Sequence, residues 1–108
     1  MSGFTLDVSD WPLVRVSLVG VPTPAQLEAF IAQRTETLRR EQPHVVLYDT
    51  RGARLLPAEH RHRLSQWTHE TEALSRKWLR GTAIVLTSPF MRVTLNLLMG
   101  VRRIWTPP

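Results

Sequence analysis

The feature that most restricts what this chain can fold into is a pair of short apolar runs, Val45-Val46-Leu47-Tyr48 and Ala83-Ile84-Val85-Leu86, each set beside a stretch of helical periodicity. Runs of four apolar residues are too short to be helices of their own and read as buried strands. The first run is apolar on both of its faces, as a central strand covered by helices should be, and so belongs in the middle of a sheet. It ends in Asp49-Thr50-Arg51-Gly52-Ala53, a Gly-containing loop that opens a long amphipathic helix. In open α/β sheets, ligands and partners dock outside the carboxyl ends of the strands, where this loop sits.

The remaining elements follow from periodicity and turn chemistry. Phe4, Leu6 and Val8 alternate with polar residues, Ser9-Asp10-Trp11-Pro12 supplies a turn, and Val14, Val16 and Leu18 alternate again, which reads as an antiparallel hairpin. Thr23-Pro24-Ala25-Gln26 combines an N-cap threonine, proline at the first helical position and glutamine three residues after the cap, so a helix starts at Pro24. Leu27, Phe30, Ile31 and Leu38 form its apolar stripe and Pro43 stops it. A second helix is expected from Pro57 to about Arg80, with Leu64, Trp67, Leu74 and Trp78 on one stripe and Gly81 as its C-terminal stop. After the strand Thr82 to Thr87, Ser88-Pro89 caps a third helix whose apolar arc, including Phe90, Met91, Leu95, Leu98 and Met99, is wider than packing on one sheet face requires. That helix is either covered by the tail residues Ile104 and Trp105, or offers a self-association or ligand face. The order is β-β-α-β-α-β-α, a single α/β domain over residues 1–108.

Composition narrows the chemistry. With 108 residues, 43% of them hydrophobic, the chain can bury a core without staples, and the absence of cysteine removes disulfides, thiolate metal sites and thiol catalysis. The net charge of +5 raises nucleic acid or an anionic membrane as partners, yet Lys77 is the only lysine and the arginines are scattered among helical glutamates, the pattern of a solvated surface. Neither a signal peptide at Met1-Ser2-Gly3-Phe4 nor a run of roughly 20 apolar residues is present, so the expected address is the cytoplasm.

No catalytic constellation emerges. His60, His62 and His69 lack the spacing of three or four that would put two imidazoles on one helical face, so no metal site is expected. Asp49 beside Arg51 is the nearest approach to an acid-base pair, but reads as a loop-shaping carboxylate that accepts backbone amides. There is no Gly-x-Ser-x-Gly elbow, and the five glycines stand singly rather than in a phosphate-cradling loop. Glu59 with Arg63 and Glu72 with Arg76 have the spacing of surface pairs that support a helix. Trp67 and Trp78 fall on an apolar stripe, whereas Trp11 in a turn and Trp105 in the tail read as exposed anchors.

The element order, the strand Val46-Leu47-Tyr48-Asp49 followed by Arg51-Gly52, the helix ending near Trp78-Leu79-Arg80-Gly81 and the strand Ala83-Ile84-Val85-Leu86 resemble the STAS-like domains, which include bacterial anti-sigma factor antagonists. The resemblance implies a four- or five-stranded mixed sheet with helices mainly on one side, here a four-stranded one, working as a protein-interaction module without catalytic activity or cofactor. In several members a serine at the start of the second helix is phosphorylated. The corresponding places here are Pro57 and Ala58, which accept no phosphate, so only docking without phosphorylation remains. The family also commonly continues with a further strand and helix where this chain reaches Thr106-Pro107-Pro108.

The expected role is therefore regulatory or scaffolding: another protein docks on Asp49, Thr50, Arg51, Gly52, Arg54, Leu56 and Glu59, and Phe90, Met91, Leu95, Leu98, Met99 and Trp105 supply a self-association or ligand face. The alternatives are a small apolar ligand or lipid in a cavity under the third helix, and, more weakly, nucleic acid on the arginines.

Overall fold

A computed structural model describes residues 2–85 in full and residues 103–105 as backbone. Its elements are β1 (Gly3–Asp10), β2 (Leu13–Gly20), α1 (Pro24–Arg39), β3 (His44–Ala53), α2 (Ala58–Glu70), α3 (Glu72–Trp78), β4 (Leu79–Val85) and β5 (Arg103–Trp105). The strands lie in chain order, β1-β2-β3-β4-β5, with β1 antiparallel to β2 and every other pair parallel. The expected α/β fold with a mixed sheet is thus present, and β5 adds a fifth, three-residue strand to the four expected. The third helix, with Phe90, Met91, Leu95, Leu98 and Met99, and the side chain of Trp105 lie outside the described residues.

The start of α1 follows its sequence closely. Thr23 Oγ1 accepts the Gln26 amide at 3.1 Å while Gln26 Oε1 accepts the Thr23 amide at 2.8 Å, and Pro24 occupies the first turn. This reciprocal cap satisfies two amides that a helix start otherwise leaves unpaired. At the preceding corner Gly20 ends β2 with φ of 62°, and a Cβ there would approach Ser2 Oγ to 2.6 Å, so glycine makes the turn without strain.

One face of the sheet is the core. Val14, Val16 and Leu18 of β2, Val46 and Tyr48 of β3 and Ile84 of β4 pack with Leu27, Phe30, Ile31 and Leu38 of α1 and with Leu64 and Trp67 of α2. Phe4 stacks on Phe30 with ring centroids 4.0 Å apart, closing the β1 side. Each such buried side chain contributes about 1.5–3 kcal/mol.

Four features depart from the sequence reading. The strand β3 is buried on one face only: His44, Val46, Tyr48 and Thr50 point inward, whereas Val45 is 38% exposed and Leu47 half-buried. Its apolar residues on both faces suggested helices on both sides, but the described helices all lie on one. The second helix is broken at Thr71, whose hydroxyl donates to the Trp67 carbonyl at 2.9 Å, just after Thr68 donates to the Leu64 carbonyl at 2.8 Å. Threonine hydroxyls that bond back to the preceding turn compete with the helical ladder and bend it. Gly81 is not the helix stop: Leu79 is already extended, α3 passes straight into β4, and Gly81 sits in that strand opposite Val45. Finally, β3 continues through Asp49-Thr50-Arg51-Gly52-Ala53, so the connection to α2 begins only at Arg54. Gly52 makes this extension fit, since it pairs beside Val19 where a Cβ would come within 3.3 Å of Val19 Cγ2.

Candidate functional site

The surface at the carboxyl ends of β2 and β3 is built by these departures. Gly52 pairs with Val19 and Ala53 with Gly20, and the Arg54 amide donates to the Gly20 carbonyl at 3.2 Å, so residues 19–22 run beside residues 52–55. The start of α2 is tied to the same place: buried His60 donates from Nε2 to the Pro22 carbonyl at 2.6 Å. That contact does the positioning at a helix start where Pro57 supplies no side-chain cap.

Of the residues expected to dock a partner, Asp49 and Arg51 are brought together with each other. Asp49 Oδ1 accepts the Arg51 backbone amide at 3.1 Å and Nε at 3.0 Å, and Oδ2 accepts Nη2 at 2.8 Å. The two-pronged hydrogen bond from the guanidinium holds the Asp49 carboxyl below its ordinary range, and the same contact raises Arg51. The pair is a closed unit that shapes the strand end, and neither charge is left for acid-base work.

Thr50 and Leu56 are not available to a partner. Thr50 is 7% exposed and its hydroxyl donates to the Val85 carbonyl at 2.8 Å, pinning the end of β3 to the end of β4. Leu56 is 6% exposed and belongs to the core. Gly52, Arg54 and Glu59 are exposed. Arg63 does not pair with Glu59 as the spacing suggested but crosses to Glu28 of α1, at 2.8 and 3.0 Å, and this contact raises its pKa. The Glu72–Arg76 pair is present at 2.6 Å.

The residues that give this end its character were missed in the sequence. Val19 and Leu55 are each 45% exposed and Val21 is 36% exposed, and they account for three of the four large hydrophobics most open to solvent among the described residues. All three lie on the two adjacent strand ends around Arg54. The signal was present as Val19-Gly20-Val21-Pro22 and Arg54-Leu55-Leu56-Pro57, where apolar residues continue past the strands into proline-bounded corners.

Beneath this end a small apolar cavity of about 20 Å³ lies among Phe4, Leu18, Phe30, Tyr48, Leu56 and Leu64. It has room for about one water and none for a lipid. Among the described residues no three His, Cys, Asp or Glu side chains come together as a metal site requires. His60 is buried against Pro22 and His62 is exposed. No described helix is long and apolar enough to cross a membrane.

The opposite end of the strands is closed. Trp11, expected as an exposed anchor, is half-buried, stacks on His44 with centroids 5.2 Å apart, lies under the Arg40 guanidinium at 4.3 Å and donates from Nε1 to Gln42 Oε1 at 3.0 Å. His44 donates from Nδ1 to the Gln42 carbonyl at 2.9 Å, which leaves the lone pair on Nε2, a buried atom without a partner. Burial pushes the His44 pKa down, and the nearby Arg34 and Arg40 charges push the same way against the Gln42 contact. Trp78, half-buried at the end of α3, also has an unpartnered Nε1. Arg34 itself is buried in the core, donating to Tyr48 Oη at 3.2 Å and to Thr37 Oγ1, with its guanidinium 5.7 Å from the Trp67 ring centre. None of the chain's nine carboxylate side chains lies within ion-pair distance of it.

Compared with protein-family models and with curated proteins, the chain matches none.

Proposed function

We propose that the chain is a non-enzymatic regulatory or scaffolding module of the STAS-like kind, acting in the cytoplasm, that docks a partner protein on the surface formed by residues 19–22 and 52–59. The observation that carries this reading is the clustering of exposed Val19, Val21 and Leu55 around Arg54, at the end of the sheet where open α/β folds receive their ligands. Exposed apolar side chains beside an unpaired arginine have the composition of an interface core with a charged contact for orientation. The Asp49–Arg51 pair, Thr50 and His60 are positioning residues beneath that surface, holding the strand ends and the start of α2 in place.

Docking in this reading needs no phosphate switch. Pro57 and Ala58 occupy the places where the resembled family carries its phosphoacceptor, and the hydroxyl of Thr50, in the segment just before them, is buried and engaged with Val85. Nucleic acid is disfavoured because Arg15, Arg39, Arg51, Arg63 and Arg76 are each engaged with a carboxylate, which offsets much of the positive charge that the described residues present.

The test is quantitative capture from the source cell's lysate with wild type and the Leu55→Glu and Arg54→Glu variants, each first shown to keep its circular dichroism and urea midpoint. A protein enriched by wild type and lost from both variants supports the reading. Equal capture by all three forms, or a lipid copurifying with all three, contradicts it.

A further inference from the structure

The corner where the β1–β2 turn meets the start of β3 closes on a histidine that it accommodates in one protonation state only. His44 is 2% exposed, and its Nδ1 donates to the Gln42 carbonyl at 2.9 Å. Nε2 is then a bare lone pair, buried and without a partner among the described residues. A neutral imidazole tolerates that. An imidazolium does not, because Nε2 would carry a proton that needs an acceptor in a site closed to water.

No such acceptor faces it among the described residues. From α1 come two cations, Arg34 and Arg40, whose charges both oppose a proton on the ring. The turn supplies Trp11, stacked on the imidazole with centroids 5.2 Å apart, and Asp10, which is engaged with Arg15 at 3.2 Å. Strand β4 sets Leu79 opposite His44, followed by exposed Arg80. Helix α3 ends in Lys77, which lies over the ring of Trp78 at 5.3 Å, and the unpartnered Trp78 Nε1 is a donor as well. Glu41, between α1 and β3, is exposed, and no carboxylate side chain of the chain is within ion-pair distance of the imidazole.

The rest of the corner hangs on the same ring. Trp11 lies under the Arg40 guanidinium at 4.3 Å and donates from Nε1 to Gln42 Oε1 at 3.0 Å, so Gln42 links the indole to the imidazole. The Val45 amide, next along β3, donates to the Pro12 carbonyl at 3.0 Å. The connection is also strained: Glu41 has φ of 54°, a left-handed conformation that a residue with a side chain adopts only where its surroundings impose it.

We propose that His44 is a proton-operated latch: protonation at Nε2 releases Trp11, Gln42 and Arg40 from the start of β3 and opens this corner while the rest of the sheet stays folded. In the open corner the imidazole is solvated and takes up its proton with the ordinary histidine affinity, near about pH 6.5. Below that pH the ratio of open to closed corner rises by up to about tenfold per pH unit, for as long as the closed form stays unprotonated. The latch is separate from the surface at residues 19–22 and 52–59 and does not depend on a partner docking there.

The test is an NMR titration of the wild-type chain from about pH 7.5 to about 4.5, which follows the His44 imidazole and the indole Nε1–H signals of Trp11 and Trp67. Trp67 reports the core, where its indole donates to Thr35 Oγ1 at 3.0 Å. The Trp11 signal should move to the position of a solvated indole with the midpoint of the His44 titration, while the Trp67 signal stays in place; in His44→Gln the Trp11 movement should be absent. A His44 that titrates with the Trp11 signal fixed overturns the proposal, as does a His44 that stays neutral until the whole chain unfolds. Trp11 and Trp67 moving together, or a Trp11 movement retained in His44→Gln, overturns it equally. If His44→Gln fails to fold, the wild-type comparison of Trp11 with His44 and with Trp67 decides.

Discussion

The two ends of the parallel strands solve the same problem in opposite ways. At the amino end a turn, a helix end and a strand start are locked by polar and aromatic contacts turned inward: Arg40 over Trp11, Trp11 on His44, and Gln42 bonded to both. At the carboxyl end the polar groups satisfy one another within and between the strand ends, as in Asp49 with Arg51 and Thr50 with Val85, and the apolar side chains of Val19, Val21 and Leu55 are exposed. The first arrangement uses aromatic area to hold the fold. The second completes the fold without that area and leaves it open to solvent.

The contrast can be broken most severely at the amino end. Trp11→Ala removes a stacked ring, a cation contact and a hydrogen bond together, and should cost about 2 kcal/mol in urea denaturation while leaving partner capture intact once the protein is refolded at low temperature. A cost below about 0.5 kcal/mol would mean that this end is not the lock described.

At the carboxyl end the largest effect should come from the buried hydroxyl. Thr50→Val leaves the Val85 carbonyl without its donor and should cost about 1 kcal/mol, with no new phosphorylation-dependent behaviour lost.

The pH dependence of stability separates the two ends further. His44 has a depressed pKa in the folded chain, so the folded state binds fewer protons than the unfolded state just below pH 6.5. Its contribution is complete above the ordinary histidine range and is lost as the pH falls through the lowered value. Asp49 is also depressed, so its contribution is lost only lower, as the pH falls through the carboxylate range. The urea midpoint should therefore fall as the pH drops below about 6.5 in wild type and less so in His44→Gln, while Asp49→Asn should flatten only the more acidic part. The smallest effect is expected at the surface itself: Leu55→Ala and Arg54→Ala should each change stability by no more than about 0.5 kcal/mol.

Much of the fold was legible because it rests on local chemistry. The Thr23–Gln26 cap, the hairpin of β1 and β2 and the strand at Val45–Tyr48 follow from residues within a few positions of one another. What was not legible depended mostly on partners distant in sequence. The extension of β3 through Ala53 needs Val19 and Gly20 beside it and Thr50 on Val85, and the break at Thr71 is a competition between hydroxyl and amide that apolar periodicity does not record. Burial of Arg34 escaped notice because arginine on a helix reads as surface, whereas its partners Tyr48 and Trp67 come from β3 and α2.

The candidate site was legible in place and not in detail. The strand-end position of Asp49 pointed to the corner where Val19, Val21 and Leu55 are exposed, and Arg54 and Gly52 are exposed there too. Thr50 points inward by the same period of two that buries His44, Val46 and Tyr48, a consequence visible only once the strand is known to continue, whereas Leu56 turns into the core from the connection beyond the strand end.

The central claim is that the carboxyl-end surface receives a protein and the amino end does not. Hydrogen–deuterium exchange of the chain, alone and saturated with the purified captured partner, tests it most directly. The account predicts slowed exchange at residues 19–22 and 53–59 with residues 9–12 and 40–44 unchanged; slowing confined to the amino-end segments, or no difference anywhere, would contradict it.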